Sequence, residues 1–285
     1  MEEQFSTSDY KQNQSFDFHL VSDSTGETIH SVARACLVQF EDVEPVEHVW
    51  PMARTKHAMK VVLEAIEAKP GPVMFTLVDE TLREQLRDGC RRLKLPCISV
   101  LDPVIAALGQ FLGAQPIHRI GGQHEMDAEY FHRIEAMDWA LAHDDGQRAE
   151  EYDNSDVILV GVSRTSKTPT CLYLANRGVR AVNVPFVPGI PLPKILDEVK
   201  NAIVIGLTND PKRLVELRRA RLAILKQEGE TPYIDLEEVK AEITQARRYF
   251  NKKNWPVIDV TRRSIEETAA AVMAQLSRHE DNKIK

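Results

Sequence analysis

Short apolar runs alternate along the chain with stretches in which apolar residues return every three or four positions. Phe16 to Val21 reads as a strand and Glu27 to Phe40 as an amphipathic helix. Val46 to Trp50, Val73 to Val78 and Cys97 to Leu101 read as further strands. Helical patterns follow them at Thr55 to Ala68, Glu80 to Leu93 and Pro103 to Leu112. Strands separated by helices require crossover connections, so the pattern predicts an α/β fold with mainly parallel sheets.

Gly113 to Gln123 is a turn-rich connector, and Met126 to His143 again carries apolar residues at helical spacing. After the polar stretch Gln147 to Ser155 a second series of strands is expected at Val157 to Gly161, Ala181 to Val184, Ala202 to Leu207 and Val257 to Val260. Ser264-Ile265-Glu266-Glu267 has the capping-box pattern and should open a last helix reaching Leu276. The expected organisation is a mobile tail over 1–15, an N-terminal α/β domain over 16–113, a connector and helix over 114–150 ending in His-Asp-Asp-Gly, and a nucleotide-binding α/β domain over 151–285. No internal repeat is evident.

Composition narrows the function. Of 285 residues, 43% are hydrophobic, enough to fill a core, and the net charge of −7 argues against nucleic acid or an anionic membrane as partner. Cys36, Cys90, Cys97 and Cys171 show no metal-ligand spacing and read as buried small hydrophobes of a reducing cytosol. No apolar run approaches the ~18 residues of a membrane span, and Met1-Glu2-Glu3-Gln4 lacks the features of a signal peptide. A cytoplasmic protein is expected.

The sharpest chemical signal is the run Gly161-Val162-Ser163-Arg164-Thr165-Ser166-Lys167-Thr168, which joins an apolar strand to a helix. Loop amides and a helix N-terminus converging on one point are what an anion needs, which makes this a phosphate loop. Lys167 would reach the β-phosphate and any incoming phosphate, and Thr168 would ligate Mg²⁺. Ser166 stands where the usual pattern has its second glycine, and Arg164 adds a second cation. The competing account is a hydroxyl-rich turn capping an ordinary helix.

Other constellations are weaker. Ser22-Asp23-Ser24-Thr25-Gly26-Glu27-Thr28 opens the first helix and reads equally as an anion loop or a capped turn. His143-Asp144-Asp145-Gly146 ends a helix, where the dipole disfavours two carboxylates, so a compensating cation is expected; either aspartate could take a proton from a hydroxyl nucleophile. Thr208, at a strand end, is placed to approach a nucleotide, as is the strand end Trp255 to Thr261 before Arg262 and Arg263. The basic run containing Lys212, Arg213, Arg218, Arg219 and Arg221 reads as a solvated helix face, with Arg213 the residue most apt to clamp phosphate. His124 is assigned no role. These residues alone leave three functions open: a protein-directed phosphoryl transferase, a small-molecule ATP-dependent kinase, and a nucleotide-sensing regulator without chemistry.

The segments SDSTGET at 22–28, HDDG at 143–146, GVSRTSKTPT at 161–170 followed by LYLANRG, and WPVIDVTRRSIEE at 255–267 resemble those of the pyruvate, phosphate dikinase regulatory proteins and the related phosphoenolpyruvate synthase regulatory proteins. The likeness extends from Phe18 to Met273, and the RTSKTPT run leans toward the dikinase type. It implies a bifunctional enzyme that phosphorylates a threonine of the dikinase, or alternatively of the synthase, with ADP as donor. It would reverse this with inorganic phosphate as attacking nucleophile, releasing pyrophosphate. Lys167, Asp144 and Asp145 would then be catalytic, residues 161–168 would hold ADP or phosphate, and Mg²⁺ would bind at Thr168. A homo-oligomer is left open.

Overall fold

The computed structural model describes residues 14–117, 128–226 and 231–284. The chain divides into two compact units, Met1–Glu125 and Met126–Lys285. The tail expected over 1–15 lies outside the described residues except for its last two, which begin a strand. Most of the connector, with His124, and the first two residues of the helix expected from Met126 also lie outside them.

In the N-terminal unit four parallel strands stand in the order β2-β1-β3-β4: β1 (Gln14–Ser22), β2 (Val43–Trp50), β3 (Val73–Thr76) and β4 (Cys97–Ser99). The crossovers are α1 (Glu27–Leu37), α2 (Lys56–Ala68) and α3 (Glu80–Leu93), with α4 (Asp102–Leu112) after β4. Thr55 caps α2 by accepting from the Ala58 N–H at 3.1 Å, and Asp79 caps α3 by accepting from Leu82 at 2.9 Å. Met59, Val62 and Ile66 of α2 meet Leu82 and Leu86 of α3 over Val73 and Phe75, while Ile29 and Ala33 of α1 cover Leu20 and Met74 on another part of the sheet.

The C-terminal unit repeats the arrangement as β6-β5-β7-β8: β5 (Val157–Gly161), β6 (Ala181–Pro185), β7 (Ile203–Thr208) and β8 (Val257–Asp259). Its helices are α5 (Ala128–Ala142), α6 (Lys167–Ala175), α7 (Pro211–Ile224), α8 (Leu236–Lys252) and α9 (Ile265–Ile284). Alternate residues of β5 serve two cores. Val157 and Leu159 pack with α5, α6 and α9, and Ile158 and Val160 with α7 and α8. Burial on both faces is why Val-Ile-Leu-Val is an unbroken apolar run. The capping box forms as expected: Glu267 N–H donates to the Ser264 hydroxyl at 3.1 Å and Ser264 N–H to the Glu267 carboxylate at 2.8 Å.

Both sheets are α/β and parallel, as the alternating pattern required. Three local differences have physical causes. Helix α1 stops at Leu37, and Val38 and Phe40 beyond it are exposed, with no buried face to extend the helix. Helix α9 runs well past Leu276. Helix α8 fills a stretch to which the sequence pattern assigned no element: its buried Val239, Ile243, Ala246 and Phe250 are dispersed among charges. Among the described residues no helix is long and apolar enough to cross a membrane.

Candidate functional site

In the C-terminal unit the strand order reverses around β5, which has β6 on one side and β7 on the other. The carboxyl end of such a strand is where open α/β sheets leave a crevice, and the 161–168 loop occupies it. Gly161 is needed for space: a Cβ there would come within 2.8 Å of both the Leu207 carbonyl oxygen and the Thr165 hydroxyl. The loop then passes twice through the left-handed region, at Arg164 (φ 72) and Ser166 (φ 58). Ser166 thus takes the conformation that glycine gives at lower cost. No side chain caps α6.

The loop is tied together from within. The buried Thr165 hydroxyl donates to the Val162 carbonyl at 2.9 Å, and the Lys167 ammonium donates to the same oxygen at 3.0 Å. Lys167 is only 6% exposed, and burial pushes its pKa down to about 8 despite the favourable charges of Asp145 and Asp144.

The acidic turn after α5 comes to the same place. His143 is buried and stacks on Trp139 at 3.9 Å between ring centroids; its Nδ1 donates to the Trp139 carbonyl at 2.8 Å. His143 therefore anchors the turn. Asp145 is left-handed at φ 51. The Thr168 hydroxyl donates to Asp144 at 3.0 Å, and the amide of Asn183 on β6 contacts Asp144, Asp145 at 3.3 Å and the Thr168 hydroxyl at 3.0 Å. Asn183 is 2% exposed, and its own carbonyl oxygen is buried without a hydrogen-bond partner. The compensation demanded by two carboxylates at a helix end comes from this amide, the threonine hydroxyl and the nearby lysine. Sequence reading missed Asn183; the only signal was an amide inside an otherwise apolar strand.

Asp145, Lys167, Thr168 and Asn183 line a cavity of about 520 Å³ whose far wall is α7, through Leu217, Ala220, Arg221 and Ile224. Here the basic helix departs from expectation. Arg213 is exposed and paired with Glu216 at 2.9 Å, away from the cavity lining, and Arg221 takes its place there. Arg218, read as part of a solvated face, is 2% exposed. It makes a two-pronged pair with Glu242 of α8 at 2.8 and 3.0 Å, and donates to the backbone oxygens of Tyr233 at 3.1 Å and Ser163 at 3.3 Å. Tyr233 lies under the guanidinium, and its hydroxyl is 3.0 Å from that of Ser163. The loop is therefore braced from α7 and α8.

Thr208 is not among the residues that line this cavity. Thr208 is buried at the end of β7, with Arg247 at 3.4 Å from its hydroxyl; Arg247 also pairs with Asp259 of β8 at 3.1 Å. In the N-terminal unit, Asp23 accepts from the Val78 N–H at 2.6 Å, Ser22 accepts from Ser24 N–H and from Thr76, and burial raises the Asp23 pKa. That loop is knitted by its own bonds, with left-handed Gly26 (φ 85) opening α1. The cysteines do not share one environment: Cys90 and Cys171 are buried, Cys97 is half-buried and Cys36 is exposed on α1.

The family model described as kinase/pyrophosphorylase matches residues 18–273. A protein of Paramagnetospirillum magneticum is 55% identical over 93% of this chain and 85% of its own length. One from Caulobacter vibrioides is 55% identical over 92% and 83%, and one from Bradyrhizobium diazoefficiens 47% identical over 95% and 98%. All three are provisionally named pyruvate, phosphate dikinase regulatory proteins. A match over most of the chain, at such identities, shows that this chain belongs to the kinase/pyrophosphorylase family.

Proposed function

We propose that this chain phosphorylates a threonine of pyruvate, phosphate dikinase with ADP as donor, inactivating it, and removes that phosphate by phosphorolysis with release of pyrophosphate. The observation that carries the reading is the convergence of Lys167, Thr168 and Asp145 on one cavity at the end of β5, with Asp144 hydrogen-bonded to Thr168. ADP and a phosphate–pyrophosphate pair both present adjacent phosphoryl groups, so one cationic loop, acting as a phosphate loop, serves both directions.

In the forward direction the threonine oxygen attacks the β-phosphorus of ADP, and AMP leaves. Asp145, on the exposed side of the turn, accepts the hydroxyl proton, while Lys167 offsets charge on the transferring group. In reverse, an oxygen of inorganic phosphate attacks the phosphothreonine phosphorus, and the threonine oxygen leaves and regains a proton. The oxygen donors Thr168 and Asp144 suit Mg²⁺, a hard cation, which when bound supplies further charge neutralisation. Among the described residues no three His, Cys, Asp or Glu gather to hold a metal, so such an ion would rely on substrate phosphate and water as well.

Intact-mass measurement tests the reading. The dikinase, phosphorylated on its histidine, is incubated with this protein and ADP, with ATP and Lys167→Ala run in parallel. A phosphoryl group gained on threonine with ADP and lost with phosphate, with pyrophosphate released, is expected. Lys167→Ala should show neither step; phosphorolysis surviving in that variant would refute the shared site. A gain on phosphoenolpyruvate synthase alone would move the target within the same chemistry. No gain on either protein would overturn the assignment.

A further inference from the structure

Two cysteines meet in the N-terminal unit. Helix α3 ends where Lys94 turns left-handed at φ 56; its N–H reaches the Arg91 carbonyl at 3.1 Å, and the Leu95 N–H reaches that of Cys90 at 2.9 Å. This paired closure reverses the chain within one turn. Pro96 follows, and Cys97 opens β4. The reversal lays Cys97 against the last turn of α3, where both cysteines join one apolar cluster with Val73 and Leu86. The two thiols lie close enough to influence each other's ionisation.

The two sulfurs are not equivalent. Cys90 is fully buried and Cys97 is half-buried, open to a small oxidant. The neighbouring Cys90 thiol, with the Arg87 guanidinium nearby, holds the Cys97 thiol below its usual range. The same contact, with burial, raises that of Cys90. Cys36 has exposure but no partner thiol among the described residues, and Cys171 lies buried in the other unit.

We infer that Cys90 and Cys97 are an oxidisable dithiol, which a hydroperoxide closes into an intramolecular disulfide. The Cys97 thiolate attacks one peroxide oxygen; an S–O bond forms, the O–O bond breaks, and the departing oxygen leaves as water or an alcohol after taking a proton. The Cys90 sulfur, losing its proton, then attacks the sulfenic sulfur of Cys97; the S–S bond forms, the S–O bond breaks and water leaves. Two thiols are oxidised by one peroxide. The bond would fix α3 to the strand that carries Ser99. Ser99 and Asp102 line a cavity of about 490 Å³, and Asp102 is itself paired with Arg83 and Arg87 of α3. The state of the dithiol would thus be felt at the wall of that cavity.

Mass spectrometry of the full-length protein reads this directly. After treatment with hydrogen peroxide, alkylation of remaining thiols and tryptic cleavage at Arg87, Arg91 and Lys94, the peptides bearing Cys90 and Cys97 should appear joined and about 2 Da below the sum of their reduced masses. Dithiothreitol should separate them. In Cys90→Ser the Cys97 sulfenic acid should persist long enough for capture by dimedone. Recovery of Cys90 and Cys97 both alkylated, or of Cys97 carried to sulfinic acid beside a free Cys90, would overturn the inference. So would a disulfide found only between Cys36 residues of two molecules.

Discussion

At Asn183 a single amide nitrogen faces two carboxylates and a hydroxyl. Replacing it by Leu removes this donor from both carboxylates and leaves Asp144 with the Thr168 hydroxyl. We expect phosphoryl transfer to fall by about 10- to 100-fold, as for other residues that orient a site from behind, while ADP affinity changes little. Steady-state rates beside calorimetric ADP titration check this; an equal loss in both would mean that Asn183 supports the loop as a whole. Lys167 gives a pH prediction. Its folded pKa, about 8, lies below the ordinary 10.5, so the unfolded chain holds the extra proton between these values. Stability of the ligand-free protein should therefore rise as pH climbs from about 8 to 10.5. Lys167→Met should remove that dependence and raise the melting temperature of the empty protein while abolishing phosphate binding. Phosphate in the site would draw the pKa back up, so ADP binding near pH 8 should take up protons, seen by calorimetry in two buffers of different ionisation enthalpy.

At the scale of elements, α7 and α8 are joined by the buried Arg218–Glu242 pair. Arg218→Met leaves Glu242 half-buried without its cation and should destabilise by about 3–5 kcal/mol in chemical denaturation. The double change Arg218→Met with Glu242→Leu should cost clearly less. Strands β1 and β2 carry a second buried device. Trp50 N–H donates to His19 Nδ1 at 3.2 Å, so Nε2 bears the proton and donates to the Lys69 carbonyl at 2.8 Å. Burial lowers the His19 pKa from its ordinary 6.5. The unfolded state then gains its proton first, and stability contributed here is lost as pH falls through 6.5. Elements were legible in proportion to how plainly they punctuate. Helix α3 was readable at both ends because Asp79 caps it and its apolar stripe is clean. The 161–168 loop was readable because an apolar strand, a glycine and a Lys-Thr pair occur in order. Arg218 was not, since five cations in one run look alike until Glu242, far along the chain, selects one. Asn183 was hidden for a similar reason: its partners come from a turn and a helix that only the fold brings beside β6.

On the scale of the whole molecule, two sheets with the same strand order and separate cores make two compact units. Calorimetry should resolve two transitions, and acidification should lower the one belonging to the N-terminal unit through His19. Trp50 reports it, since the other two tryptophans, Trp139 and Trp255, lie in the C-terminal unit. A shared single transition at all pH values would show that the units melt together. The left-handed backbone at Ser166 has a further consequence for how the site is entered. A loop forced into shape by its surroundings has few conformations to search when empty, so a ligand meets a finished template and its capture is set by diffusion and charge. Ser166→Gly would relieve about 1–2 kcal/mol of strain but loosen that template. The protein would become more stable and slower to bind, the tension of one residue having been traded for time.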